Sequence, residues 1–207
     1  PIYKAGPFAD YIQGLKSRGE YSYHRTLLSG PGCTVRVREE DTGQERELIS
    51  LAANNYLGLA DRPELIEAAC AATRHYGPGM CGSRFLSGTY EVVVELEREL
   101  AEFEGYEEVA VFTTGYQANV GVLAALLRRK NLVLVDRLSH ASIVDGCRIS
   151  GCKFRTFQHN DPESLDRALA RHGDNCKDVL VVVEGVFSMN GVIVPGWDAS
   201  LAAFERS

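Results

Sequence analysis

Apolar and polar positions divide the chain into two stretches of different rhythm. In the first, "FADYIQGLKSRG" spaces Phe8, Tyr11, Ile12 and Leu15 at helical intervals. "TVRVREEDTGQERELISL" then alternates like a hairpin around Thr42-Gly43. These patterns predict an N-terminal arm with a small two-stranded sheet over residues 1–55. "RPELIEAACAATRHYG" predicts a helix: Pro63 suits the first turn, Leu65, Ile66, Ala69 and Cys70 share one face, and Gly77 follows the stop. "GPGMCGSRFLSGT" reads as a long turn ahead of the helix "EVVVELERELAEFEG". Its glycines do not sit between a strand and a helix, so it is a poor match to a phosphate loop. So many small residues also suit close approach of a ligand or a partner subunit.

From Glu108 onward the rhythm becomes regular. "VAVFT", "LVLVD", "KFRTFQ" and "DVLVVVEGVF" read as strands, separated by the helices "GYQANVGVLAALLRR", "HASIVDGCRIS" and "DPESLDRALARHG". Strands without a polar face, alternating with helices of this length, indicate a parallel sheet covered on both sides. The predicted fold class is doubly wound α/β, in which ligands bind beyond the carboxyl ends of the strands.

Candidate chemistry therefore lies just after each strand. Thr114-Gly115-Tyr116 opens a helix after "VAVFT". The helix N-terminus favours an anion, Gly115 permits close backbone approach, and Thr114 either caps the helix or donates to a phosphate oxygen. Tyr116 fits equally as a packed aromatic. His140 follows "LVLVD" and reads either as a capping, hydrogen-bonded residue or as a catalytic one. Glu184 interrupts an apolar run where a carboxylate is expensive to bury unpartnered, and Ser188 follows it. Asn54 and Asn55 suit a turn or a site. One anion cradle, one imidazole, one carboxylate and one hydroxyl together describe a pocket for a phosphorylated small molecule.

Composition narrows the field. The 207 residues carry a net charge of −6 and no basic run longer than "RRK", so nothing favours nucleic acid. The apolar stretches fall short of the roughly 20 residues that cross a bilayer, and the N-terminus lacks a signal-like segment. With position 1 as the true start, the protein reads as soluble and cytoplasmic. Six cysteines stand without C-x-x-C or paired histidine spacing, which suits reduced, mostly buried residues and no metal.

The strings "NNYLGL", "CGSRFLSGT", "ELERELAEFEG", "TTGYQANVG", "DRLSHASIVDGC", "QHND" and "EGVFSMNGVIVP" occur in an order and spacing that resembles the α-oxoamine synthases. These are pyridoxal-phosphate enzymes of the aspartate-aminotransferase fold type, including 8-amino-7-oxononanoate synthase, 2-amino-3-ketobutyrate CoA ligase and serine palmitoyltransferase. The resemblance runs from about residue 20 to the end. It implies pyridoxal 5'-phosphate as cofactor, acyl-CoA and a small amino acid as substrates, release of CoA with or without CO2, and a homodimer with "CGSRFLSGT" near the interface. Residues 56–207 would then form an incomplete large cofactor-binding domain. By the same resemblance His140 stacks on the pyridine ring, and Gly115 and Tyr116 hold the cofactor through backbone amides. Ser188 contacts it near the phenolic oxygen, Glu184 is the acid of that motif, and Asn54 lies near the substrate. Arg18 is the arginine near substrate, with Arg25 as the alternative.

The same resemblance places the aspartate facing the pyridine nitrogen and the Schiff-base lysine in later motifs that this sequence does not contain. Lys130, Lys153 and Lys177 do not occupy the lysine motif. The expectation is the N-terminal part of a longer enzyme, inactive alone. Two alternatives remain open: a non-catalytic partner subunit of this fold, and an aminotransferase or lyase of the same fold type.

Overall fold

The computed structural model describes residues 5–21, 25–39, 42–173, 176 and 178–194. They fall into two compact units, Pro1–Tyr90 and Glu91–Ser207.

In the first unit, helix α1 (Ala5–Ser17) precedes a three-stranded antiparallel sheet, β1 (Thr26–Leu27), β2 (Thr34–Arg38) and β3 (Glu45–Ile49). The hairpin expected around Thr42-Gly43 joins β2 to β3, with Val35 opposite Leu48 and Val37 opposite Arg46. Gly43 takes φ +66°, a left-handed turn conformation that costs glycine little. Alternation buries Val35 and Val37 on one face of β2. The sheet has three strands where two were expected, because Thr26–Leu27 adds a short edge beside β2. Helix α2 (Pro63–Tyr76) begins on Pro63 and stops at Gly77, as its sequence signals predict. The stretch expected as a long turn contains a single helical turn, α3 (Arg84–Ser87). It forms because the Ser83 hydroxyl accepts the Phe85 N–H, an N-cap the glycine count obscured.

The second unit opens with α4 (Glu91–Glu104), followed by α5 (Gly115–Leu126), β4 (Leu132–Asp136), α6 (Ala141–Ser150), β5 (Lys153–Phe157), α7 (Pro162–His172) and β6 (Val179–Val182). The sheet is parallel, in the order β5-β4-β6. The chain steps from β4 to β5 on one side, then back across β4 to β6 on the other. Right-handed crossovers therefore place α6 and α7 on opposite faces. The core follows this arrangement. Val133 and Val135 face Leu123 of α5, Leu127 just after it, and Ile143 and Cys147 of α6. Leu132 and Leu134 face Phe157 and Leu165 of α7. Every residue of β4 is buried, which accounts for the absence of a polar position until Asp136.

Gly146 permits the close approach of α6 to α5. A Cβ there would lie 2.8 Å from Leu123 Cδ1 and 3.2 Å from the Asn119 carbonyl oxygen. Cys147 has no exposed surface, and burial pushes its thiol up to about 12. All six cysteines are free thiols, but only Cys147 is buried, against the expectation of mostly buried residues, and Cys33 and Cys81 are exposed. Strand β5 is an edge on which Lys153 and Arg155 are exposed, and the Arg155 guanidinium donates to the Phe154 carbonyl at 2.8 Å.

Two strand expectations are corrected. "VAVFT" forms no ladder among the described residues: the Val111 N–H donates to the Glu97 carboxylate of α4 at 2.8 Å. A strand exists only as one side of a ladder, so a β-branched, apolar run is insufficient without a neighbour. The strand expected over "DVLVVVEGVF" pairs only at Val179–Val182, and from Glu184 the chain turns toward a short Val186–Ile193 bridge. Among the described residues, no helix is long and apolar enough to cross a membrane. Nor does any group of three or more His, Cys, Asp or Glu side chains there suit a metal ion.

Candidate active site

The carboxyl ends of β4 and β6 meet at His140. This residue is the N-cap of α6, where its Nδ1 accepts the Ser142 N–H at 3.2 Å and lies 2.7 Å from the Ser142 hydroxyl. The Asn119 amide of α5 donates to that hydroxyl at 2.9 Å. The Ser142 hydroxyl therefore turns its proton to His140, so Nδ1 is the acceptor and the ring proton sits on Nε2. The ring remains exposed. The capping reading of His140 therefore holds: one nitrogen caps the helix, and the residue stays exposed. The His140 main-chain N–H donates to Glu184 Oε1, joining the β6 end to the β4 end.

Thr114, Gly115 and Tyr116 open α5 beside this point. The Thr114 hydroxyl accepts the Gln117 N–H at 3.1 Å, which is the capping alternative, while the N–H groups of Gly115 and Tyr116 have no intrahelical partner by helix geometry. A Cβ on Gly115 would meet nothing within 4 Å, leaving the helix end open to an anion. The Tyr116 ring stands edge-on to His140 with centroids 6.3 Å apart. Its phenol donates to Asp145 Oδ2 of α6 at 2.6 Å, and Arg148 donates to the other oxygen at 3.2 Å.

That bond shifts both groups. Donation to Asp145 holds the Tyr116 phenol above its ordinary value, because ionising it would set two anions together. The same bond, with Arg148 helping, holds Asp145 below its ordinary value. Stability from the raised phenol is present below its unfolded pKa and lost as pH rises through the folded one. Stability from the lowered carboxyl is present above its unfolded pKa and lost as pH falls through the folded one. The expected result in an ultraviolet pH titration, with Tyr116→Phe identifying the signal, is a Tyr116 transition that moves down in Asp145→Asn. An unmoved transition would show that the carboxylate is not the cause.

Ser188 lies exposed on the turn within the Val186–Ile193 bridge and makes no hydrogen bond to His140, Glu184 or Tyr116. Asn54 and Arg18 belong to the first unit. Asn54 is exposed and accepts from the Tyr56 hydroxyl at 3.4 Å, whereas Asn55 braces its loop through the Pro31 carbonyl and the Ala60 N–H. Arg18 follows α1 and pairs with Glu20 at 2.8 Å. Arg25 is exposed.

Sequence reasoning missed the supporting residues Asn119, Ser142 and Asp145, whose spacing carries no motif of its own. It also missed Asp136, which is only 2% exposed at the end of β4. The Glu184 argument, a carboxylate closing an apolar strand, applies to Asp136 with equal force.

The family model for aminotransferase class I and II matches residues 46–197. The 8-amino-7-oxononanoate synthase of Geobacter sulfurreducens is 44% identical over 90% of this chain and 46% of its own length. The serine palmitoyltransferase of Caulobacter vibrioides is 47% identical over 72% of this chain and 37% of its own. A serine palmitoyltransferase variant from S. paucimobilis, solved with a bound PLP–myriocin aldimine, superposes with TM-score 0.85 at 33% identity over 99% of this chain and 50% of its own. The chain spans about half the length, or less, of these relatives. The chain has the fold of these transferases, and it belongs to the aminotransferase class I and II family.

Proposed function

We propose that this chain is the His140-bearing part of a pyridoxal-phosphate-dependent α-oxoamine synthase, which condenses a small amino acid with an acyl-CoA, releases CoA with or without CO2, and works as a homodimer. The observation that carries the reading is His140: an outward-facing imidazole fixed by the helix it caps, with Glu184 bound to its main chain and an open helix N-terminus beside it.

The donor set fits the cofactor. Thr114, Gly115 and Tyr116 would hold it at the α5 end through helix N–H groups, His140 would lie against the ring, and Ser188 would serve the phenolic oxygen. Asn54 and Arg18 would meet the substrate. When bound, pyridoxal phosphate supplies an electron sink for a carbanion at the substrate α-carbon. The residues of this chain bind and orient. His140 presents a flat face whose plane is set through Nδ1, Glu184 ties the two strand ends together, and Tyr116 is held in place by Asp145. No lysine of this chain is assigned to covalent attachment.

The test uses the full-length protein. Pyridoxal phosphate should give a visible absorbance band, and a screen of glycine, alanine and serine against short and long acyl-CoAs should release thiol with at least one pair. Cofactor binding with transamination but no thiol release would move the protein to the aminotransferase reading. Absence of any cofactor band would overturn both.

A further inference from the structure

We infer that His159 is a positioning residue that sets the turn carrying Ser188, acting as a bridge between the buried Asp136 carboxylate and Asn190. The inference rests on the cofactor site proposed above.

Asp136 closes β4 with its carboxylate out of solvent. Oδ1 accepts the Leu138 N–H at 2.8 Å and Oδ2 accepts the Asn160 N–H at 3.0 Å, so it holds the loops after β4 and β5 together. His159 Nδ1 is 3.0 Å from Oδ1. Oδ1 already accepts a main-chain N–H, so Nδ1 is the donor to it, and Nε2, set opposite an amide nitrogen, is an acceptor. That acceptor faces the Asn190 amide nitrogen at 3.0 Å. Asn190 Oδ1 in turn accepts the Val192 N–H at 3.2 Å.

Every bond in this series then has one direction: Val192 to Asn190, Asn190 to His159, His159 to Asp136. A second contact reinforces it. The fully buried Phe187 packs edge-on against the His159 ring, with centroids 4.5 Å apart. The turn between Phe187 and Gly191, closed by the Gly191 N–H donating to the Phe187 carbonyl at 2.8 Å, is therefore gripped at both ends by one imidazole. Ser188 sits inside that grip, adjacent to Phe187 and two residues before Asn190. The hydrogen bonds and ring contact of His159 go to Asp136, Asn190 and Phe187, so its effect on Ser188 passes through the turn.

The test uses full-length protein and the variants His159→Asn, Asn190→Ala, Ser188→Ala and their doubles. His159→Asn keeps a donor for Asp136 and loses the reach to Asn190 and Phe187. Asn190 is exposed, so its removal leaves the core intact. Hydrogen–deuterium exchange without cofactor should show faster exchange over residues 186–193 in both His159→Asn and Asn190→Ala, with β4 unchanged. The pyridoxal-phosphate dissociation constant should rise about tenfold in each, the usual size when a group orienting a binding residue is lost. Each double with Ser188→Ala should bind no worse than its weaker single parent, because both changes remove the same contact.

Multiplying effects in the doubles, or unchanged exchange over 186–193, would overturn the inference. If His159→Asn does not fold, Asn190→Ala carries the same comparison. If the parent protein binds no pyridoxal phosphate, the proposed function fails, while the exchange result still decides whether His159 sets the turn.

Discussion

On the proposed function, His140→Ala in the full-length protein is expected to lower kcat/KM on the order of 100-fold or more, the cost of losing placement at a reacting centre. It is also expected to cost about 1 kcal/mol of stability, because the substitution removes an N-cap as well as a ring. The two losses separate in His140→Asn. Asparagine is a good N-cap whose side-chain oxygen accepts a main-chain N–H of the first turn, as Nδ1 does here for Ser142. The Asn variant should therefore melt near the parent and yet be as slow as the Ala variant. Steady-state kinetics with thermal denaturation on both proteins checks this. Parental activity in His140→Asn would mean that the residue matters only as a cap.

Gly146→Val should destabilise the second unit by about 3 kcal/mol, at the upper end of ordinary overpacking. The physical reason is that a Cβ would arrive 2.8 Å from Leu123 Cδ1 and 3.0 Å from Leu123 Cβ, in a fully buried seam. Leucine cannot swing away, since the opposite wall is Val133 and Val135 of the central strand. The helices must separate, and with them goes the Asn119–Ser142 bond that orders His140. The denaturant midpoint should fall, and pyridoxal-phosphate affinity should fall with it. An unchanged midpoint would show that the seam yields at little cost and that the close approach is not required.

The elements with a strong period were legible from sequence. Helices α2, α4, α6 and α7 and strand β4 stand where alternation and punctuation put them, because burial on one face, both faces or none leaves a direct mark on composition. "VAVFT" failed for the opposite reason: pairing depends on a neighbour, which the segment itself does not encode. The site divided along the same line. His140, Tyr116 and Glu184 are brought together as their strand-end positions suggested. Their supports join residues 23 to 29 positions apart, as Asn119 joins Ser142 and Tyr116 joins Asp145. Such bonds have no local signature. Asn54 and Asn55 look interchangeable in sequence, yet only Asn55 is committed to bracing its loop.

Strand β5 has a consequence for how this sheet can be extended. Its outer margin bears Lys153 and Arg155, and Arg155 folds back onto a main-chain oxygen of the strand itself. A charged border with an occupied acceptor is a poor template for another strand. The opposite margin, β6, is Val-Leu-Val-Val without a charge. Of the two margins, β6 is therefore better suited than β5 to lie beside a further strand.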